Sequence, residues 1–352
     1  MRNLATIQKV LTVESIPGAD AIECIGVLGW KCVSRKGEFK IGDKVVYIEI
    51  DSLLPFAPWS EFLFKGSDVK GAEAKTAYRL RTIKLRGQVS QGLVLPLNVL
   101  DGKKFPTDKR ERPIYPFNVG MEVTAILGIT KYEPAISAQL QGLVKGSFPS
   151  FIPKTDETRI QAAPSILAEI AGKEVYITTK MDGCSGTFYV NRGEFGVCSR
   201  NMEFKPECDN TFMKMAKRYC LAEKMISLNR NIAIQGEVCG PSIQKNRLNL
   251  KDHELYIFNV YDIDGGKYLN VHEAFNICES LGVKTVPIEH SETAPLWTIE
   301  SLLEKAKGKY PGTDNHKEGI VIRPVLECKS EALRGRLSFK VINNEYLLKG
   351  GE

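Results

Sequence analysis

Lys180 is followed by Met181, Asp182 and Gly183, and the four residues come just after an apolar run, Val175, Tyr176 and Ile177. A lysine amine is a nucleophile only when neutral. Its ordinary pKa near 10.4 means that attack at neutral pH requires surroundings that destabilise the charged form. Chance supplies a Lys-x-Asp-Gly match on the order of 0.1 times in a chain this long, taking about 7% usage for each residue. Taken alone, the motif reads as a strand ending in an Asp-Gly turn beside a solvated lysine. Further along come, in order, Ser199 and Arg200; Gly236 and Glu237; Tyr256, Ile257 and Phe258; Glu318 to Arg323; and Phe339, Lys340 and Val341. Three carboxylates, several cations and an aromatic residue on separate segments are the residue types that phosphoryl transfer at a metal ion uses.

That ordered set resembles the covalent nucleotidyltransferase superfamily, which contains ATP-dependent ligases and messenger RNA capping enzymes. Three further features make the resemblance more specific. The N-terminal module is OB-like, the run from Lys154 to Gln161 matches a linker motif, and only 12 residues follow Lys340. Together they are similar to the RNA ligases of the Deinococcus and Naegleria type, over nearly the whole chain. Capping enzymes and many DNA ligases of the superfamily carry their OB domain after the last motif, where this chain has no room for it.

The resemblance implies that Lys180 takes AMP from ATP, that AMP passes to an RNA 5′-phosphate, and that a 3′-hydroxyl then displaces it. Lys340 becomes the cation that favours neutral Lys180. Asp182, Glu237 and Glu318 gather around a hydrated Mg²⁺ or Mn²⁺ and the ribose. Phe258 stacks on adenine, Arg200 contacts ribose or the RNA 5′-phosphate, and Arg159 holds the outgoing phosphates. Many relatives carry two lysines in the last motif; here Ser338 stands at the first position, leaving Arg336 as a second candidate cation. The expected partner is RNA with 3′-hydroxyl and 5′-phosphate ends, with a nicked or DNA-bridged duplex among the candidate settings, bound by a monomer. The alternatives are a DNA ligase, a GTP-using capping-type enzyme, or an RNA-binding relative without turnover.

Composition narrows the classes. No GxxxxGK[ST] phosphate loop, no GxGxxG after a strand and no HExxH occurs, so the usual phosphate-loop, dinucleotide and zincin readings have no support. The chain has 48 basic and 42 acidic residues, a formal charge of +6, which favours a polyanionic partner weakly. Nine cysteines without a CxxC pair fit a reduced, intracellular compartment. Neither a secretory signal nor a stretch of roughly 20 apolar residues is present, so no membrane role is expected.

The elements that must position these residues follow from the patterning. Short apolar runs between turn signals predict strands at Ala5–Val13, Ile22–Leu28, Lys31–Ser34, Lys44–Ile50, Ala77–Leu85, Gly92–Pro96 and Glu122–Leu127, hence a small β-barrel over 1–132. Its cations Lys31, Arg35, Lys36, Arg79, Arg81, Lys84 and Arg86 could grip an RNA backbone. Residues 133–172, with prolines at 134, 149, 153 and 164, read as a linker with one short helix at Ser165–Ile170. Residues 173–352 alternate apolar strands with helices at Asn210–Met225, His272–Leu281 and Thr298–Lys307. The fold class is therefore α+β: a barrel followed by a nucleotidyltransferase domain of antiparallel sheets and helices.

Overall fold

Alternating side chains from Ala5 onward build one long strand, Ala5–Ser15, whose two halves serve different partners in the computed structural model. Residues 5–9 pair with Lys44–Ile48, and the other half pairs with Ile22–Val27 after a register shift between Val10 and Thr12. A bulge of this kind increases local twist. The five-stranded antiparallel sheet, in the order Trp30–Arg35, Ile22–Val27, Ala5–Ser15, Lys44–Ile48, Leu93–Pro96, is a curled half-barrel. Ile7, Val46, Ile48, Leu54, Leu95, Val123 and Leu127 fill its core. The structure describes residues 3–64, 77–103, 105, 117–132 and 142–350.

Two expectations for this module are corrected. Glu122–Leu127 is a turn, touching the sheet through a bridge from Glu122 to Thr6, because Thr124 Oγ1 accepts from the backbone N–H groups of Leu4 and Ala5. Ala77–Leu85 is two strands in different sheets, Ala77–Arg79 and Ile83–Leu85.

The chain divides into two compact units, Met1–Ala135 and Ile136–Glu352. Of the expected linker, residues 133–141 lie outside the described residues, and much of the remainder is built into the second unit. Val144–Ser147 pairs with Met202–Phe204, and Thr158–Arg159 pairs with Phe339–Ile342. Pro149, Pro153 and Pro164 fall outside these short strands and leave their pairing intact.

Among the described residues the second unit holds a two-stranded ribbon, Lys329–Ser330 with Gly335–Arg336, and two large sheets. One runs in the order Val144–Ser147, Met202–Phe204, Glu194–Ser199, Cys184–Asn191, Ile232–Cys239, Glu254–Asp262, Lys267–Tyr268, with Lys284–Thr285 also on Glu254–Asp262. The other runs Thr158–Arg159, Phe339–Ile342, Gly319–Pro324, Glu174–Lys180, Ile288–Thr293. Pairing is antiparallel except where Thr158–Arg159 and Lys284–Thr285 join, which are parallel. The helix expected over Asn210–Met225 is two, Thr211–Arg218 and Leu221–Ser227, because Cys220 takes a left-handed conformation at φ 52°. Val271–Leu281 and Ile299–Lys305 start at capping boxes, Asn270 with Glu273 and Thr298 with Ser301. All nine cysteines are free, and among the described residues no helix is long and apolar enough to cross a membrane.

Candidate active site

Strand alternation decides which side chains can meet. In the second sheet Val175, Ile177, Ile320, Ile322, Phe339 and Val341 point into the apolar core on one face. Lys180, Arg323, Ser338 and Lys340 therefore stand on the other. Arg159 is the register partner of Lys340, and Lys340 is also paired with Val321, so the two cations sit side by side. In the first sheet Ile234, Val238, Leu255 and Ile257 go to the core beneath the helices. Gln235, Glu237 and Tyr256 take the opposite face. A register shift pairs Gln235 with Asn259 and Gly236 with Ile257, leaving Phe258 as the extra residue of a bulge. That bulge puts Phe258 and Asn259 on the same side, a re-aiming typical of bulges beside functional sites.

The two bare faces look at each other. Thr155 Oγ1 lies 2.8 Å from Ser185 Oγ, the Arg336 guanidinium donates to Asn259 Oδ1 at 2.7 Å, and Arg323 sits 6.0 Å from the Phe258 ring centroid.

Lys180 ends its strand at the cleft, and its Nζ is 2.7 Å from Glu318 Oε1. Tyr310 fixes both residues: its hydroxyl donates to Lys180 O at 2.8 Å and accepts from Glu318 N at 3.2 Å. Two glycines make this approach possible. A Cβ on Gly183 would stand 2.4 Å from Val238 O, and one on Gly319 would stand 2.1 Å from Val341 O, where φ is +151°. Glu237 stands in the strand beside Gly183. Burial pushes its carboxyl up to about 8, against the pull of Lys180, with Glu318 and Asp182 adding like charge.

Asp182 has both oxygens engaged within the protein. Arg247 donates to Oδ2 at 2.6 Å and Tyr346 donates to Oδ1 at 2.8 Å, with Arg247 stacked 4.4 Å over the Tyr346 ring. Among the described residues no three His, Cys, Asp or Glu side chains form a ready metal cage. A hard divalent cation nevertheless fits Glu237 and Glu318, which are oxygen donors in a pocket where burial, with like charge from Glu318 and Asp182, pushes the Glu237 carboxyl up. Asp182, the third expected ligand, accepts one hydrogen bond on each oxygen, from Arg247 and Tyr346, and keeps a further lone pair on each.

The other expected residues are placed as follows. Arg159 is buried and Lys340 is partly exposed, both at the cleft. Arg200 is half exposed and pairs with Asp156. Arg336 is held by Glu327 and Asn259 and lies 4.1 Å over the Tyr268 ring, so it does not stand in for the absent lysine beside Lys340. Ser338, at that lysine's position, donates to Glu157 Oε1 at 2.8 Å, which also accepts from Arg323 at 2.9 Å. Burial alone would raise the Glu157 carboxyl; Arg323, Arg336 and the Ser338 hydroxyl outweigh it and leave it below the usual range. Tyr310, Arg247 and Tyr346 carried no signal in the sequence, lying outside every motif, whereas Glu157 and Arg323 lay inside motifs without an assigned role.

Comparison with known proteins places the chain in a family. Residues 4–97 match an OB-fold domain, and residues 173–342 match the RNA ligase family. The solved Naegleria gruberi RNA ligase with PPi is 39% identical, covers 99% of this chain and 99% of its own, and superposes with a TM-score of 0.85. A glutamate-to-alanine variant of that ligase with AMP and Mn is similar at 39% identity, 99% coverage of each chain and a TM-score of 0.85. A lysine-to-alanine variant with ATP and Mn follows at 39%, 98% of each chain and 0.84. No curated protein matches. With the half-barrel and the lysine-centred cleft in the order the sequence implied, the chain belongs to the RNA ligase family.

Proposed function

We propose that the chain seals RNA 3′-hydroxyl and 5′-phosphate ends with ATP, through Lys180-AMP and RNA-adenylate intermediates. The observation that carries this reading is the Lys180 amine, 2.7 Å from Glu318, at the mouth of a cleft that also holds Glu237, Phe258, Lys340 and Arg159. In the first step a deprotonated Lys180 Nζ bonds to the ATP α-phosphorus as the bond to the bridging oxygen breaks and pyrophosphate leaves. Lys340 and Arg159, paired in register, attract the departing phosphates. Positive charge from Lys340 also disfavours the ammonium form of Lys180. Phe258 offers its ring to adenine, an interaction of roughly 1–3 kcal/mol per base.

Mg²⁺ or Mn²⁺ held by Glu237 and Glu318 would supply charge stabilisation at the α-phosphate. Asp182 contributes negative charge and, through Arg247 and Tyr346, the rigidity of the loop after Lys180. In the second step the RNA 5′-phosphate oxygen takes AMP and frees the Lys180 amine; in the third a 3′-hydroxyl oxygen attacks the 5′-phosphorus and AMP departs. Arg200, exposed at the end of its strand, is suited to the RNA 5′-phosphate once it exchanges Asp156 for it.

Sealing of a nicked duplex tests the substrate. With ATP and Mg²⁺ or Mn²⁺, the protein is expected to join a nick whose 3′-hydroxyl strand is RNA better than one whose strand is DNA, and GTP should not replace ATP. Preference for the DNA strand would make the chain a DNA ligase; preference for GTP would point to capping chemistry.

A further inference from the structure

The half-barrel carries a two-stranded ribbon, Ile83–Leu85 with Gln88–Ser90, which pairs with no other sheet. Arg86 at φ 48° and Gly87 at φ 87° form its turn, the doubly positive geometry that keeps two-residue hairpins tight and twisted. At its base it is fixed to the sheet: Val33 N donates to Ser90 Oγ at 2.9 Å and Gln91 N donates to Lys31 O at 2.8 Å. Its first strand is exposed from base to turn, and Ile83 at 45% and Leu85 at 39% present two large apolar side chains on one face.

Charge is arranged to match. From residue 77 to 100 there is no acidic side chain, while Arg79, Arg81, Lys84 and Arg86 are all present. Arg79 is committed, paired with Asp51 at 2.7 Å and lying 3.8 Å over the Tyr132 ring. Lys31, on the neighbouring strand, is paired with Glu14. Arg81, Lys84 and Arg86 are exposed and, among the described residues, make no ion pair. These three are therefore free to neutralise a polyanion, as are Arg35 and Lys36 on and beside the neighbouring strand, and in the ribbon's first strand Lys84 stands on one face while Ile83 and Leu85 share the other.

We propose that the ribbon is a nucleic-acid arm. Arg81, Lys84 and Arg86 grip the sugar–phosphate backbone of the RNA, and Ile83 and Leu85 lie against ribose and base. Phosphates fit because three cations within six residues match closely spaced charges, and apolar side chains beside such cations are what proteins press against ribose and base. The identity of the polyanion as RNA rests on the ligase reading of the second unit; the arm itself rests on exposure, charge and geometry.

The test uses the full chain and a nicked RNA duplex, with binding measured at several salt concentrations and no ATP. Arg81→Gln with Lys84→Gln and Arg86→Gln should weaken binding at least tenfold at low salt. The slope of log affinity against log salt should become shallower by about 2–3, since each duplex phosphate contact contributes about 0.9. Lys84→Gln alone should reduce it by roughly 1. Ile83→Ser with Leu85→Ser should weaken binding several-fold at an unchanged slope. Transfer of AMP to Lys180 should stay within about twofold of wild type in every variant, because none of these residues belongs to that cleft. Folded variants that keep wild-type affinity and slope overturn the proposal, and unchanged affinity in the serine variant overturns its apolar part. A wild type that binds through the arm but takes no AMP would overturn the ligase reading and leave the arm standing.

Discussion

At the residue scale, the site is a balance between one amine and three carboxylates, and each carboxylate is treated differently. Glu318 is paired with Lys180 and Asp182 with Arg247, while burial pushes the Glu237 carboxyl up to about 8. The last has a pH consequence. Folded Glu237 keeps its proton up to about 8, whereas the unfolded carboxyl loses it near 4.5, so between those values the folded chain holds more protons. Its contribution to stability therefore falls as pH rises through that window, by on the order of a few kcal/mol in all. In buffer free of divalent cations, Glu237→Gln should flatten this decline and be more stable than wild type at pH 8.5. A variant with the wild-type slope in urea titrations would contradict the assignment.

Asp182 gives the opposite expectation. With its side chain only 4% exposed, removing its cation in Arg247→Ala strands a buried charge and should cost about 3–5 kcal/mol, whereas Tyr346→Phe removes one hydrogen bond and should cost about 1 kcal/mol. Equal losses in chemical denaturation would show that the ion pair does not anchor the loop. The sequence marked Asp182 as important through its motif. It gave no hint of these partners, because Arg247 and Tyr346 reach it from segments 65 and 164 residues away.

At the element scale, what positions the site is strand register. Where the register is regular, the sequence was readable: the runs Glu174–Thr179, Ile232–Val238 and Gly319–Arg323 come within a residue of the observed strands, since apolar runs of that length fit a strand buried against a core. Where the backbone departs from the pattern, it was not. The bulge that sets Phe258 on the cleft face depends on its neighbour strand, and the break at Cys220 interrupts a helical period that continues on both sides. Two-residue strands such as Thr158–Arg159 have no periodicity to detect. Gly319 tests the register directly. Its Cβ would sit 2.1 Å from Val341 O at φ +151°, so Gly319→Ala should cost more than about 1 kcal/mol and disturb Glu318. Gly335→Ala, with 3.7 Å to its nearest neighbour, should stay within about 0.5 kcal/mol of wild type. Similar melting temperatures for the two variants would contradict the register.

At the scale of the whole molecule, the chain pairs a half-barrel with a catalytic unit, and the order of those parts was legible because each has its own period and its own core. The sequence implies only that 133–172 connects two domains with one short helix; the described residues of this segment also carry Thr155, Asp156, Glu157 and Arg159 into the cleft. Every claim about what the molecule does depends on the chemistry of Lys180. The most direct measurement is incubation of the purified protein with Mg²⁺ or Mn²⁺ and α-labelled ATP, followed by denaturing separation and peptide mapping. Covalent AMP on Lys180, lost in Lys180→Ala, is the predicted result; a folded wild-type protein that takes no label, or takes it on another residue, would contradict the account.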